Sequence, residues 1–196
     1  LAAGRWRQLP DFRLPAPLPR LANALPHLVA LLSLGIIALQ SDQLDSAVRL
    51  MSQAIEIAPT YHQAYNNLGN VYAKQNRLDE AVENFRKAIE QCPAYADAHF
   101  NLGASLRKLG RPEEAIEPLS ACKALAPRRA DVHFELGQCH QRLANRLEAQ
   151  IAYRVALDIE PDHVMARNHL GRMLCLMGHF DEALVELRHA IATDPE

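Results

Sequence analysis

Residues 65–81 read YNNLGNVYAKQNRLDEA, and parts of this stretch return along the chain with a fixed period. A Leu-Gly pair, an Ala and a Pro each recur every 34 residues. The five copies of the three markers are Gly35, Gly69, Gly103, Gly137 and Gly171; Ala47, Ala81, Ala115, Ala149 and Ala183; and Pro59, Pro93, Pro127, Pro161 and Pro195. Three markers that share one period across five copies indicate a repeat architecture.

Each copy predicts two helices. In the second copy, Tyr65, Leu68 and Tyr72 form one helical stripe, and Ala81 and Phe85 belong to the next. A polar turn separates the two stripes, and the recurrent Pro ends the second helix. The recurrent Gly lies within the first helix, where it costs ~1 kcal/mol relative to Ala. We therefore expect it to mark a close contact between helices, with the recurrent Ala facing it.

These residues resemble the tetratricopeptide repeat (TPR) family. The match is best over residues 62–95, through Tyr65, Leu68, Gly69, Tyr72, Ala81, Phe85, Ala88 and Pro93. The resemblance implies an all-α fold, a right-handed α-solenoid of five stacked helix-turn-helix repeats. The repeats would be residues 28–61, 62–95, 96–129, 130–163 and 164–196, which together form a TPR domain over 28–196. Stacked hairpins bury a continuous core and curve around a concave groove in which a partner can bind.

The composition excludes several classes of protein. The net charge of −2 disfavours a nucleic-acid binder. The longest apolar run, residues 28–39, has twelve residues, whereas a membrane span needs ~20. The sequence contains no phosphate-binding loop, dinucleotide fingerprint, zinc-protease motif or nucleophile elbow. We therefore expect no enzyme activity, no cofactor and no metal site.

The four cysteines are Cys92, Cys122, Cys139 and Cys175, and no two of them form a C-x-x-C pair. A chain of this size does not need disulfides to be stable, so we expect reduced, mostly buried thiols and a cytoplasmic location.

The predicted groove is lined by polar, cationic and aromatic side chains of the first helices. An Asn side chain offers both a donor and an acceptor, and can therefore hold a peptide backbone whatever the peptide's side chains. Lys and Arg would add a basic ridge for acidic side chains of a ligand. The groove residues are Asn66, Asn67, Asn70, Lys74, Phe100, Asn101, Arg107, Lys108, Phe134, Glu135, Gln138, Arg142, His169 and Arg172.

One TPR subclass holds the terminal carboxylate of heat-shock chaperones between Asn and cationic residues. Asn70 and Asn101 match the two Asn positions of that pattern, but Asn66, Asp131 and Glu135 replace the cations. Two carboxylates would repel a third. We therefore do not expect a chaperone C-terminal carboxylate as ligand.

The motif Asn-Asn-Leu-Gly also resembles the repeats in the TPR arm of O-linked N-acetylglucosamine transferases. The groove of that arm is lined by a regular series of Asn side chains, called the Asn ladder. The ladder positions here are Ser33, Asn67, Asn101, Glu135 and His169, so two of the five carry Asn. This likeness leaves a second hypothesis open: the chain would be the targeting arm of a larger glycosyltransferase or sulfotransferase whose catalytic domain lies outside it. The chain begins without Met and stops at the end of the fifth copy, so we expect a longer parent protein.

Residues 1–27 form a Pro-rich basic arm. They carry four Arg and one Asp, a charge of +3, which leaves −5 for the rest of the total of −2. Five Pro in this segment favour an extended conformation. It would be a linker, an arm docked on a solenoid, or a Pro-rich ligand of another domain.

The first predicted helix, residues 28–40, is unusually apolar for a terminal repeat. Its groove-facing positions are Val29, Leu32, Ile36 and Leu39, and Trp6 and Phe12 of the arm are available to cover them. We expect these six residues to contact the arm or a second copy of the chain.

The function that the sequence favours is a protein–protein interaction scaffold that binds an extended peptide or a helix in its groove, without catalysis. The alternatives are the enzyme arm described above and a homo-oligomeric assembly module.

Overall fold

The computed structural model describes residues 18–193, with side-chain environments from Leu25 onward. Within this range the chain forms ten helices and no strand. The helices are α1 Leu18–Gln40, α2 Leu44–Ile57, α3 His62–Lys74, α4 Leu78–Gln91, α5 Ala96–Lys108, α6 Pro112–Leu125, α7 Ala130–Arg142, α8 Arg146–Ile159, α9 Val164–Leu176 and α10 Phe180–Thr193. None of these helices combines the length and hydropathy needed to cross a membrane.

The helices pair into five hairpins, and each hairpin packs on the next. The first helices of neighbouring hairpins also contact each other, since α3 touches both α1 and α5, and α5 touches α7. First helices therefore lie side by side along one face of the stack. The predicted all-α solenoid of five repeats is confirmed.

Every first helix ends in the same way. The second residue after each one has a left-handed backbone, and the five residues are Asp42, Asn76, Gly110, Ala144 and Gly178, with φ between 59° and 83°. The next N–H then donates to the carbonyl five residues earlier, as Arg77 does to Tyr72 over 2.9 Å. This is a Schellman cap, which satisfies helix carbonyls that would otherwise lack partners.

The recurrent Gly does mark a close helix contact. A Cβ added at Gly69 would lie 2.6 Å from Cε1 of Phe85, and one at Gly103 would lie 2.5 Å from Cγ of Leu119. The Gly thus makes room for the large side chain of the second helix. The recurrent Ala, which we expected to face it, lies one turn earlier on that helix and is fully buried, as at Ala81.

The structure corrects the boundary of the first helix. It begins at Leu18, so the extended conformation predicted for residues 18–27 is wrong. Pro19 lies in the first turn, where a missing N–H costs nothing. Pro26 lies inside the helix, and Leu28, two residues further along, is buried in the core. The remainder of the predicted arm, with Trp6 and Phe12, lies outside the described residues.

The apolar surface predicted on α1 is also corrected. Leu32 is only 9% exposed, because it packs in a core cluster with Met51 and Leu68. Leu39 is half-buried against α2. Val29 and Ile36 are exposed, and their expected contact with the arm or a second copy stays a prediction.

Candidate functional site

The polar residues predicted to line the groove lie on the first helices α3, α5, α7 and α9. Four of them meet in one cleft of about 230 Å³, which is lined by Arg107, Gln138, Gln141, Arg142 and His169. These side chains come from three successive first helices, so the stacking of repeats creates the cleft. Gln141 was not predicted, although it lies 34 residues after Arg107 and the repeat period alone could have found it.

An ion pair forms one wall of this cleft. The Arg107 guanidinium binds both carboxylate oxygens of Glu135, with Nη2 to Oε1 at 3.2 Å, and both side chains are less than 15% exposed. Such a bidentate pair fixes orientation as well as charge. Arg142 donates from Nη1 to the backbone carbonyl of Arg107 over 3.2 Å. Within the described residues Arg142 makes no ion pair, so its charge faces the cleft uncompensated.

His169 is held by a polar network behind the cleft. Gln141 Oε1 accepts from the Tyr153 hydroxyl at 2.7 Å and from His169 Nδ1 at 3.0 Å. An amide oxygen can only accept, so Nδ1 carries the proton of the imidazole. Burial, and then the charges of Arg172 and Arg107, lower the pKa of His169. The imidazole is therefore neutral at pH 7 and presents no positive charge to a ligand.

The predicted Asn ladder is partly internal. Asn66 is only 4% exposed, and its Oδ1 accepts from Asn101 Nδ2 over 3.0 Å. This hydrogen bond links α3 to α5, so the Asn66 side chain stabilises the packing of two repeats and its Oδ1 is already occupied. Asn67 and Asn70 are half-buried and make no side-chain hydrogen bond to the described residues.

Three more predicted groove residues already contact other side chains of the solenoid. Lys74 donates to the Leu39 carbonyl at 3.1 Å and pairs with Asp42 at 2.9 Å. The Arg129 guanidinium carbon lies 4.4 Å from the centre of the Phe100 ring. Phe134 packs against the rings of Tyr153, His163 and His169. Lys108 and Arg172, by contrast, are exposed and form no ion pair within the described residues.

The two carboxylates expected to repel a chaperone carboxylate are already paired in three dimensions. Glu135 is neutralised by Arg107, and Asp131 accepts from Arg129 at 3.0 Å. Neither carboxylate would repel a ligand as strongly as a free one. The exclusion of that ligand stays a prediction.

Two further clefts lie away from the groove. The larger, about 300 Å³, includes His99, Leu102 and Pro118. The other includes the residues 34 positions later, His133, Leu136 and Ala152. These two clefts are equivalent by the repeat period, and we favour the groove as the functional site despite its smaller volume because it gathers polar side chains from three first helices.

The four cysteines differ in burial. Cys122 and Cys139 are buried, and burial raises the pKa of Cys139 to about 11. Cys92 is half-buried and Cys175 is exposed, so two of the four thiols fit the expectation of burial. Within the described residues no cluster of three His, Cys, Asp or Glu could hold a metal ion.

Comparisons with known proteins agree with this architecture. Family models described as TPR repeat or Tetratricopeptide repeat match residues 50–83, 69–110, 96–129, 130–163 and 164–193. No curated protein matches the sequence.

Several solved structures share the fold. MamA from Desulfovibrio magneticus RS-1 is 20% identical with a TM-score of 0.80, over 86% of this chain and 95% of that one. YrrB, described as a TPR protein with an unusual peptide-binding site, is 23% identical with a TM-score of 0.74, over 90% and 93%. The TPR protein TTC0263 from Thermus thermophilus is 25% identical with a TM-score of 0.65, over 86% and 92%. With its five structural repeats and the family models that cover residues 50–193, the chain is a member of the tetratricopeptide repeat family.

Proposed function

We propose that this chain is a protein–protein interaction scaffold without catalysis of its own, and that it binds a segment of a partner protein along its concave groove. The cleft between α5, α7 and α9 carries the proposal, because it brings Arg107, Gln138, Arg142 and His169 together. Arg142 supplies an uncompensated cation there, and exposed Arg172 and Lys108 lie on the same first helices. The preferred segment is therefore a peptide with an acidic side chain.

The available side-chain amides on α3 support this role. Asn67 and Asn70 keep their amides unpaired within the described residues, so they can bind a peptide backbone. The likeness in fold to YrrB, itself described as having a peptide-binding site, agrees with this use of the groove. Buried Cys122 and Cys139 suit the reducing cytoplasm, where we place the protein.

The test is selection from a displayed library of random 12-residue peptides. Wild-type protein should enrich peptides with an Asp or Glu, and Arg142→Ala with Asn70→Ala should bind them at least about tenfold more weakly, since hydrogen bonds to charged groups contribute ~1.5–3 kcal/mol each. Lys87→Ala changes an exposed cation of α4, outside the groove, and serves as the control. Failure to enrich any peptide, or equal binding by the groove variant, would contradict the proposal.

A further inference from the structure

We propose that the cleft between α5, α7 and α9 binds a phosphorylated Ser side chain of the partner segment, an inference that rests on the peptide-binding function proposed above. The cleft is lined by Arg107, Gln138, Gln141, Arg142 and His169. The charges around it and the hydrogen-bonding groups that it leaves available both match a phosphoryl group more closely than a carboxylate.

The cationic side chains at the cleft outnumber the acidic ones. Glu135 is paired with Arg107, so these two charges cancel. Arg142 forms no ion pair within the described residues, and neither does exposed Arg172 of α9. Arg172 is close enough for its charge to lower the pKa of His169, although burial is the larger cause. Two positive charges are therefore uncompensated at this place.

The other acidic side chains of the three helices lie at the opposite end. Asp97 and Asp131 are in the first turns of α5 and α7, and both accept from Arg129. Arg107 and Arg142 are in the last turns of the same helices. About ten residues of helix separate the two ends, or about 15 Å, whereas salt screens charges over about 8 Å. Since α9 carries no Asp or Glu, no carboxylate of these helices offsets the two cations.

The cleft also presents donors for the oxygens of an anion. Arg142 uses Nη1 for the carbonyl of Arg107, and its Nε and Nη2 have no acceptor among the described residues. Gln138 Oε1 is buried without a donor, so the atom of this amide that a ligand reaches is Nε2, which donates. A phosphoryl group brings three strong acceptor oxygens to such donors.

His169 adds an acceptor to the same cleft. Its Nδ1 donates to Gln141 Oε1 over 3.0 Å, so the neutral imidazole keeps a lone pair on Nε2. A carboxyl group, with a pKa of about 4, has no proton to donate to this nitrogen at pH 7. A phosphoserine, with a second pKa of about 6, retains its last proton far more readily and can donate it. The imidazole therefore favours a phosphoryl group over a carboxylate.

The charge of the ligand group gives the same preference. Phosphoserine carries a charge of about −1.5 to −2 at pH 7 and matches the two uncompensated guanidinium groups, whereas Glu would leave one of them unmatched. A guanidinium also binds phosphate through two parallel N–H bonds, which adds geometric selectivity. The cleft should thus select a phosphorylated segment over one that is merely acidic.

The experiment compares three fluorescein-labelled libraries of short random peptides that differ only at a fixed central residue, which is phosphoserine, Glu or Ser. Each library is titrated with the full chain and followed by fluorescence anisotropy. The apparent Kd of the phosphoserine library should be at least about tenfold lower than that of the Glu library, and the Ser library should bind most weakly.

A charge-matched pair of variants locates the preference. Arg142→Gln with Arg172→Gln should bring the Kd values of the phosphoserine and Glu libraries to within about threefold of each other. Lys87→Gln with Lys123→Gln removes two exposed cations from the second helices α4 and α6 and should keep the preference. The readout is the ratio of two Kd values in one variant, so a general loss of folded protein does not change it.

The outcomes separate this inference from the proposed function. Equal binding of the phosphoserine and Glu libraries by the wild type would overturn the phosphate preference and leave the acidic-peptide groove standing. Tight binding of the phosphoserine library without enrichment of any unphosphorylated peptide would support the phosphate site and contradict the broader proposal.

Two further results would also overturn the inference. If free phosphoserine binds as tightly as the phosphoserine library, the cleft holds a phosphate group without recognising a peptide. If the wild type binds none of the three libraries, the phosphate site and the peptide groove both fail.

Discussion

At the scale of single residues, some predicted groove side chains are already bonded to a neighbouring repeat, and others keep polar groups available for a ligand. Asn66, Lys74 and Glu135 were all predicted to face a ligand, yet each is bonded to a neighbouring repeat. Sequence position places them on the first helices but does not show whether another side chain already occupies their hydrogen-bonding groups. Within the described residues Arg142 forms no ion pair, although it donates to the Arg107 carbonyl, and Asn70 makes no side-chain hydrogen bond; these two are the groove contacts that we retain.

We expect Asn101→Ala to lower the free energy of unfolding by about 1–3 kcal/mol, because it leaves the buried Oδ1 of Asn66 without its donor. Asn67→Ala is the matched control and should change stability by less than about 0.5 kcal/mol. Urea denaturation of both variants gives the comparison. Equal losses would show that the bond between the two Asn contributes nothing.

His169 predicts a pH dependence of stability. In the folded protein the pKa of His169 lies below the ordinary 6.5. Below about pH 6.5 the unfolded chain therefore binds a proton at this imidazole more readily than the folded chain does. Stability should therefore fall as the pH drops from 7.5 to 5.5, by at most ~1.4 kcal/mol per pH unit from this group. His169→Gln should show a shallower fall in denaturation at the two pH values. An identical slope would mean that His169 is not the cause.

At the scale of helices, the Schellman cap is what the five hairpins share. Gly110 and Gly178 suit its left-handed residue, and Asp42 and Asn76 tolerate it. Ala144 adopts the same left-handed conformation at a φ of 59°, although it has neither the missing Cβ of Gly nor the short polar side chain of Asp or Asn. The fourth hairpin therefore folds with a strained turn that the others avoid.

Ala144→Gly should stabilise the protein by about 0.5–1 kcal/mol, since the relief of left-handed strain (~1–2 kcal/mol) exceeds the added entropy of the unfolded chain. Ala104→Gly makes the same chemical change inside α5 and should instead destabilise by ~1 kcal/mol. Thermal unfolding of the two variants should shift in opposite directions. A loss of stability in both would refute the strain at Ala144.

The Gly contact gives a second prediction for helix pairs. Gly103→Ala places a Cβ 2.5 Å from Cγ of Leu119, so it should cost about 1–3 kcal/mol through overpacking, and Gly103→Leu should cost more. When Leu119 is already Ala, adding Gly103→Ala should cost less, because the opposing side chain is gone. Additive losses in this double-mutant cycle would argue against the contact.

At the scale of the whole molecule, each hairpin is stabilised only by its neighbours, so stability should vary along the solenoid. Helices α3 to α7 and α9 each bury five residues, whereas α10 buries only Ala183 and Ala190. Among the described helices, α10 therefore has the fewest buried side chains to hold it in place.

Hydrogen exchange followed by mass spectrometry should show the fastest amide exchange in α10 and the slowest in the central helices α3 to α7. Uniform exchange along the described helices would mean that the array opens as a single cooperative unit.

The sequence by itself determined the repeat fold. Helix starts, Schellman turns and terminal Pro depend on interactions within a few residues, and the period of 34 carries them through five copies. The exception is α1, where Pro19 and Pro26 suggested an extended arm although the first turn and the buried Leu28 accommodate them. Position in the repeat also placed the predicted groove residues on the first helices α3, α5, α7 and α9.

Only the tertiary structure decided which of those residues are free. The bonds from Arg107 to Glu135, Asn101 to Asn66 and Lys74 to Asp42 join residues 28, 35 and 32 positions apart, in neighbouring repeats. Such pairs depend on how far one hairpin shifts and rotates on the next, which a pattern along one helix does not specify. The same stacking decides that Leu32 is buried while Leu34 and Ile37 face outward, since burial here is set by the hairpin next in the stack.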